Sequence, residues 1–152
     1  MDVFALFSAR IGNAMQVLFP EAGADLLARI VVEPPRDPAH GDLSTNAAMI
    51  VAKPLGKNPR EVATALVEHF RNDVDVTSVE VAGPGFINFR LAPPVWHQVL
   101  RSIAELGADY GRSTLGQGEP VNIEYVSANP TGPMHVGHTR GAVFGDALAS
   151  LM

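Results

Sequence analysis

The stretch VTSVEVAGPGFINFRL, residues 76–91, predicts two β-strands joined at a hairpin or a tight corner. Its two arms, 76–82 and 86–91, alternate apolar with polar side chains and are rich in the residue types that half-buried strands favour. Gly83-Pro84-Gly85 lies between them and supplies the turn. The fold is therefore expected to contain a sheet with one buried and one open face.

The open face of the second arm carries an informative trio of side chains. Because side chains alternate along a strand, Phe86, Asn88 and Arg90 share one face. The opposite face carries Ile87, Phe89 and Leu91. An aromatic ring, an amide and a guanidinium together offer stacking, base-edge hydrogen bonds and phosphate contact, which is how single-stranded RNA loops are bound. An ordinary half-exposed strand is the alternative, since single exposed aromatic side chains are common.

Amphipathic helices are expected around these strands. Apolar positions recur at helical spacing over residues 3–18, 43–56, 59–70 and 95–106. The third helix has a clear start, because Asn58 is a natural N-cap, Pro59 suits the first helical position and Glu61 can close a capping box. The apolar stripe of the fourth, including Trp96, should be part of the core. A further strand is expected over residues 28–33.

Length and composition limit the kinds of protein to which this chain can belong. At 152 residues with 47% hydrophobic content, the chain can bury a core as one domain with a short appendage. It has no apolar run near the roughly 18 residues of a membrane span and no basic signal-peptide start, so we expect a cytoplasmic protein without a membrane partner. The absence of cysteine excludes disulfides and thiolate metal sites. The net charge of −5 means that any RNA contact must be local.

A predicted domain boundary lies in residues 107–120, which hold four glycines and a proline without periodicity. After it we expect a strand over 121–127, a loop stiffened by proline and a helix. That order is the first half of a βαβ unit, in which ligands bind at the carboxyl end of the strand.

The motif His135-Val136-Gly137-His138 predicts a phosphate site. It places two imidazoles at a strand-to-helix turn, where unpaired backbone N–H groups and the helix dipole favour an anion. Ser127 and Asn129 fall at the same end of the predicted strand. Gly137 leaves room for a flat ring, such as a nucleotide base, to approach the backbone.

Three alternatives remain open on this local sequence. The His-x-x-His spacing could hold a metal, although no carboxylate or cysteine lies nearby as a third ligand, and we therefore expect no bound metal. The glycine and prolines of residues 129–133 could form a turn without a ligand. The histidines could instead cap the helix or be partly buried with satisfied hydrogen bonds.

Taken together, several blocks of the sequence resemble a bacterial-type arginyl-tRNA synthetase, a class I enzyme. The blocks are residues 42–49 (DLSTNAAM), 56–63 (GKNPREVA), 81–89 (VAGPGFINF) and 121–146. The four residues from His135 to His138 are similar to the "HIGH" motif of that class. The resemblance covers essentially the whole chain.

The resemblance implies an α+β fold in distinct parts. Residues 1–112 would form an N-terminal additional domain, an antiparallel sheet with flanking helices, that binds the D-loop at the tRNA elbow through Phe86 and Asn88. Residues 113–120 would be a linker. Residues 121–152 would be the first βα element of a Rossmann-like catalytic domain.

It also implies roles for residues of the catalytic part. Glu124 would face the guanidinium of the substrate arginine, and Ser127 and Asn129 would hold its amino and carboxylate groups. His135 and His138, as catalytic residues, would contact the substrate carboxylate and the phosphates of ATP. Adenine would pass over Gly137, and Mg²⁺ would accompany the ATP.

The implied reaction is the ATP-dependent attachment of arginine to its tRNA through arginyl-adenylate. It needs no enzyme nucleophile, because alignment and donors aimed at developing charge can provide the catalysis. We expect the parent enzyme to be monomeric. Because the sequence stops in the helix after the motif, we expect the 152 residues alone to be inactive. A freestanding RNA-binding module derived from the same domain is the rival interpretation.

Overall fold

The computed structural model describes residues 1–114 and 116–152, which divide into two compact units, Met1–Tyr110 and Gly111–Met152. The first unit contains the described strands and the buried core. The second contains one long helix and an extended segment before it. Within the described residues, no helix combines the length and apolar character needed to cross a membrane.

The sheet of the first unit is antiparallel, with the spatial order β1-β2-β4-β3. Its strands are β1 (Val32–Glu33), β2 (Leu43–Thr45), β3 (Val76–Ala82) and β4 (Phe86–Leu91). The predicted hairpin is confirmed, because β3 and β4 pair with Ala82 opposite Phe86. β2 pairs along the other edge of β4.

Helices cover one face of this sheet. The helices of the first unit are α1 (Val3–Leu18), α2 (Ala24–Leu27), α3 (Ala47–Ala52), α4 (Pro59–Phe70) and α5 (Pro93–Leu106). Phe89 of β4 is fully buried, and it packs against α1 and α4. Its ring meets Phe7 of α1 edge-on at a centroid distance of 6.0 Å and Phe70 of α4 at 5.3 Å. The core therefore lies between the helices and the face of the sheet that carries Ile87, Phe89 and Leu91.

N-cap residues in the sequence determine where two of the long helices, α1 and α4, begin. Asp2 caps α1, because its Oδ1 accepts from the backbone N–H groups of Phe4 and Ala5 at 2.9 and 3.1 Å. The Asn58 Oδ1 accepts from the backbone N–H of Arg60 at 2.9 Å, which confirms the predicted start of α4. The predicted capping box was wrong, since in the described part of the chain the Asn58 N–H does not donate to the Glu61 side chain.

The structure corrects two predictions between residues 24 and 52. Residues 43–45 are a strand rather than the start of a helix, because tertiary pairing with β4 overrides the helical apolar spacing. Asp42 fixes this pairing: its backbone N–H donates to the Phe89 carbonyl at 2.7 Å, and its Oδ2 accepts from the Leu91 N–H at 2.8 Å. The predicted strand over 28–33 is reduced to β1, with the helix α2 before it.

The apolar stripe of α5 belongs to the core only near its start, where Val95 is a core residue and Val99 packs against the core; the prediction was wrong for Trp96. Only Val95 of this helix is buried, whereas Trp96 and Ile103 are 38% and 39% exposed and Leu100 is 62% exposed. Helical periodicity predicts which side chains share a face, but it does not reveal whether another element covers that face.

An ion-pair cluster ties α1 to the loop before β3. The guanidinium of Arg10 donates to both Asp73 and Asp75, and it lies 4.8 Å from the centroid of the Phe7 ring. Partial burial raises the pKa of Asp73, but the hydrogen bonds from Arg10 and the Asp75 N–H, with the charges of Arg10 and His69, outweigh it. The pKa of Asp73 is therefore below its ordinary value.

The second unit is built on α6 (Val136–Leu151). The predicted strand over 121–127 was wrong: the segment forms no ladder, because the described residues offer it no neighbouring strand, and Val126 adopts a left-handed φ of +60°. The segment packs on α6 instead. A Cβ on Gly145 would lie 2.3 Å from the Tyr125 Cβ, so this close approach requires glycine.

Candidate functional site

The face of the sheet opposite the core carries a row of polar side chains across all four strands. Glu33 pairs with Ser44, Ser44 with Asn88, and Asn88 with Glu80. The side chains of such cross-strand partners lie on the same face. The row sets one amide and one hydroxyl between two carboxylates.

The predicted trio lies on this open face, but its members differ in accessibility. Phe86 is 39% exposed, and Arg90 is exposed as well. Asn88 is only 5% exposed, because it occupies the middle of a central strand between Ser44 and Glu80. The aromatic ring is thus open to a flat partner, whereas the amide is available only to a group that enters between its neighbours.

A cavity of about 290 Å³ opens beside Phe86. It is lined by Val31, Glu33, Ser44, Thr45, Asn46, Met49 and Phe86. Two side chains fix its rim: the Thr45 hydroxyl donates to the Val31 carbonyl at 2.8 Å, and the Asn46 Oδ1 accepts from the Val31 N–H at 2.9 Å. A planar group that stacks on the exposed Phe86 ring can extend into this volume.

The sequence did not mark Ser44, Asn46 or Met49 as site residues. They come from β2 and α3, which reach this face only because β2 pairs with β4. The aspartate and glycine before β2 were the available signal, since they belong to the backbone contact that holds the strand.

Two guanidinium groups are fixed within the first unit by backbone carbonyls. Arg90 Nη2 donates to the Ala39 carbonyl at 3.2 Å, and Arg60 Nη1 donates to the Gly83 carbonyl at 3.3 Å. Neither hydrogen bond neutralises the guanidinium, because a backbone carbonyl carries no formal charge. Both guanidinium groups can therefore still contact a phosphate.

The second unit has a cavity of its own, about 340 Å³ in volume, between residues 123–128 and one side of α6 from Gly137 to Leu148. Of the six site residues predicted in this unit, Glu124, Ser127, Gly137 and His138 line it. Asn129 and His135 do not. The structure therefore groups four of the six and leaves two outside the cavity wall.

Within this cavity Glu124 and Ser127 are joined directly. The Ser127 hydroxyl donates to Glu124 Oε1 at 2.7 Å, a short bond of the kind expected for a carboxylate acceptor. Both residues are exposed, so the second carboxylate oxygen remains open to a ligand. A carboxylate held in this way can bind a planar cation such as a guanidinium.

The two histidines cap α6. His135 Nδ1 accepts from the Gly137 N–H at 3.1 Å, and His138 Nδ1 accepts from the His135 N–H at 3.4 Å. Their rings stack with centroids 3.8 Å apart and an interplanar angle of 20°. The capping alternative is thus realised, and it leaves the second nitrogen of each ring for another contact. Among the described residues, no three His, Asp or Glu side chains are grouped to hold a metal ion.

Comparison with known proteins gives a consistent result. The model of the arginyl-tRNA synthetase N-terminal domain matches residues 6–91. Arginine–tRNA ligases from Rhizobium leguminosarum bv. trifolii and Roseobacter denitrificans are 58% and 62% identical over 155 residues. Each alignment covers 100% of this chain but only 26% and 27% of the relative. The chain thus spans about a quarter of the length of these relatives.

Solved structures agree in fold. An arginyl-tRNA synthetase from Plasmodium falciparum superposes with a TM-score of 0.68 at 19% identity, covering 96% of this chain and 27% of that one. The enzyme from Thermus thermophilus gives 0.59 at 26% identity, with 97% and 23% covered. The combination of helices with a four-stranded antiparallel sheet is therefore that of the N-terminal region of these structures.

Proposed function

This chain belongs to the arginyl-tRNA synthetase family, and we propose that it acts as the N-terminal part of an arginine–tRNA ligase. The observation that carries the proposal is the match along its whole length to ligases 57–62% identical. The proposed activity is the attachment of arginine to its tRNA with ATP. The proposal includes a class I "HIGH" motif, a cytoplasmic location and a monomeric enzyme.

In this proposal residues 1–112 bind the tRNA elbow and residues 113–120 link them to the start of a Rossmann-like catalytic domain at 121–152. The open face supports an RNA role. Phe86 offers an exposed ring for base stacking, worth about 1–3 kcal/mol per base, and Asn88 offers a donor and an acceptor to a base edge.

Charge on this face argues for contact with a base rather than with bulk phosphate. Glu33 and Glu80 flank the central pair and repel phosphate from the middle of the sheet. Arg90 is the cation of the same strand face, two residues beyond Asn88. A base would therefore lie over Phe86 and Asn88, with its backbone towards Arg90.

The catalytic role rests on the second unit. Glu124, oriented by Ser127, would bind the guanidinium of arginine, and a lysine ammonium would fit this planar contact poorly. Asn129 would hold the amino and carboxylate groups with Ser127. His135, Gly137 and His138 would contact ATP, whose Mg²⁺ would neutralise phosphate charge.

Two steps follow from these contacts. A carboxylate oxygen of arginine attacks the α-phosphorus of ATP, and pyrophosphate leaves. A hydroxyl of the terminal tRNA ribose then attacks the carbonyl carbon of arginyl-adenylate, and AMP leaves. The residues of this chain orient the reactants and donate hydrogen bonds to the phosphate; none forms a covalent bond.

A chimera tests both roles. We expect the Roseobacter ligase to keep arginine-specific aminoacylation when this chain replaces its own corresponding segment. In that chimera Phe86→Ala should lower kcat/KM for tRNA about tenfold, the equivalent of about 1.4 kcal/mol, by raising KM. Trp96→Ala is the matched control, because it removes an equally exposed ring from α5 and should leave KM unchanged.

The outcomes distinguish the proposed ligase from the rival interpretation, a freestanding RNA-binding module. An inactive but folded chimera in which Phe86 still governs tRNA affinity would favour a freestanding RNA-binding module. An active chimera with unchanged KM in Phe86→Ala would contradict the proposed tRNA face alone.

A further inference from the structure

Two exposed guanidinium groups lie at opposite ends of β4. Arg60, the second residue of α4, donates to the Gly83 carbonyl at 3.3 Å, in the turn that precedes β4. Arg90 is the last residue but one of β4 itself. Phe86 and Asn88 lie between these two positions along the strand. Cations therefore border the exposed ring and the amide on both sides.

Both guanidinium groups are available to an anion. Among the described residues, Arg60 and Arg90 belong to no ion pair. By contrast, the exposed Lys57 and Arg71, just before and just after α4, each pair with a glutamate. A guanidinium has several N–H donors, so one hydrogen bond to a backbone carbonyl orients the group and leaves other donors for a phosphate.

The two groups are too far apart to share one phosphate. Arg90 follows Phe86 by four residues of extended strand, which is roughly 14 Å at about 3.4 Å per residue. The guanidinium of Arg90 is held by the Ala39 carbonyl, in the segment before β2. Because β2 runs antiparallel to β4, that segment lies near the end of β4, away from the turn that holds Arg60. Contact with both groups therefore needs two phosphates.

Carboxylates limit the direction in which a chain of phosphates can lie on the sheet. Glu33 and Glu80 belong to the row that crosses the sheet through Ser44 and Asn88. A polynucleotide that followed this row would bring its phosphates against both carboxylates, which would repel them. A path along β4 has a guanidinium at each end and the uncharged Phe86 and Asn88 between them.

We propose that a single-stranded segment of RNA lies along β4 on the open face, with one phosphate on Arg60, a second on Arg90 and an unpaired base on Phe86 between them. An unpaired base is required because a base in a duplex cannot stack on a side chain in this way. The identity of the RNA as tRNA rests on the proposed function, whereas the direction of the path follows from the charges.

The salt dependence of binding tests the two phosphate contacts. For a single strand, the logarithm of the affinity falls with the logarithm of the salt concentration by about 0.7 for each phosphate contact. We would titrate the 152-residue protein with a transcript of an arginine-accepting tRNA. Arg60→Gln and Arg90→Gln should each reduce the slope by about 0.7, and the double variant should reduce it by about 1.4. Arg60→Lys should keep the slope, because it keeps the charge.

Two controls make these slopes specific. Arg71→Gln removes an exposed charge from the other end of α4 and should leave the slope unchanged. Phe86→Ala should weaken binding about tenfold without changing the slope, because the ring contacts a base and no phosphate.

An unchanged slope in either Arg60→Gln or Arg90→Gln would overturn the proposal. A double variant that loses no more slope than one single variant would also overturn it, since one phosphate would then contact both groups. The proposed tRNA face is tested separately by Phe86→Ala, and an unchanged affinity in that variant would contradict it whatever the slopes of the arginine variants.

Discussion

At the residue scale, Gly41 controls how β2 joins the sheet. Its φ is +116°, and a Cβ there would lie 2.5 Å from the Phe89 carbonyl oxygen in β4. Gly41→Ala should therefore destabilise the protein by more than the roughly 1–3 kcal/mol of backbone strain alone, because the carbonyl belongs to a buried strand and cannot yield. Urea unfolding at neutral pH measures the change.

Gly12→Ala is the opposing control for this prediction. Gly12 lies inside α1, and its added Cβ would have no neighbour within 4 Å. The substitution should stabilise the protein by about 0.5–1 kcal/mol through helix propensity. Equal effects of the two substitutions would show that steric contact with β4 does not determine the requirement for glycine at residue 41.

At the element scale, the Arg10 cluster couples α1 to the start of β3. Because the pKa of Asp73 is lowered in the folded state, its contribution to stability is present above the unfolded pKa, near 3.8, and is lost as pH falls through the folded value. Asp73→Asn should cost about 1.5–3 kcal/mol at pH 7, the usual range for hydrogen bonds to charged groups. The cost should shrink as pH falls below that unfolded value.

Urea unfolding of both proteins across this pH range measures the difference. Glu68→Gln is the control, because Glu68 and Arg71 form an exposed pair on the surface of α4, with side chains 51% and 62% exposed. Such pairs are worth about 0–1 kcal/mol and are screened by salt. A cost for Asp73→Asn that does not change with pH would mean that packing, rather than the charge, accounts for it.

Elements with strong local signals could be predicted from the sequence, and those defined by distant contacts could not. The spacing of apolar residues in α1 and α4 and the turn between β3 and β4 are local, and all were predicted. β1 and β2 have only two and three residues, and their pairing with distant residues creates them; β1 was predicted with bounds that were too wide, and β2 was missed. The strand predicted over 121–127 failed for the converse reason, since no strand among the described residues pairs with this segment.

The same distinction applies to the candidate site. Residues 124, 127, 137 and 138 line one cavity because they lie on either side of the loop that leads into α6, and their proposed roles stay predictions. The contribution of Ser44 and Met49 to the cavity beside Phe86 was missed, because strand order determines it. Asn88 was placed on the right face, but its burial depends on neighbours from two other strands.

At the scale of the whole molecule, the buried hydrophobic cluster lies entirely between Val3 and Val95. The described residues of the second unit contribute no member to this cluster, and the one buried residue among them, Gly145, packs against Tyr125 of the same unit. The first unit therefore has what an independent domain needs, a core closed by its own helices and sheet.

We expect a chain that ends at Arg112 to fold and to melt within about 3 °C of the 152-residue protein, because a shift of that size corresponds to less than 1 kcal/mol for a domain of this length. It should also bind tRNA with unchanged affinity, since the open face with Phe86 and Asn88 belongs wholly to the first unit. Calorimetry and tRNA titration are the measurements, and Phe86→Ala in the shorter chain is the control for specific binding. A shorter chain that fails to fold would place the domain boundary beyond residue 112, whereas a folded chain that loses tRNA affinity would assign part of the RNA contact to residues 113–152.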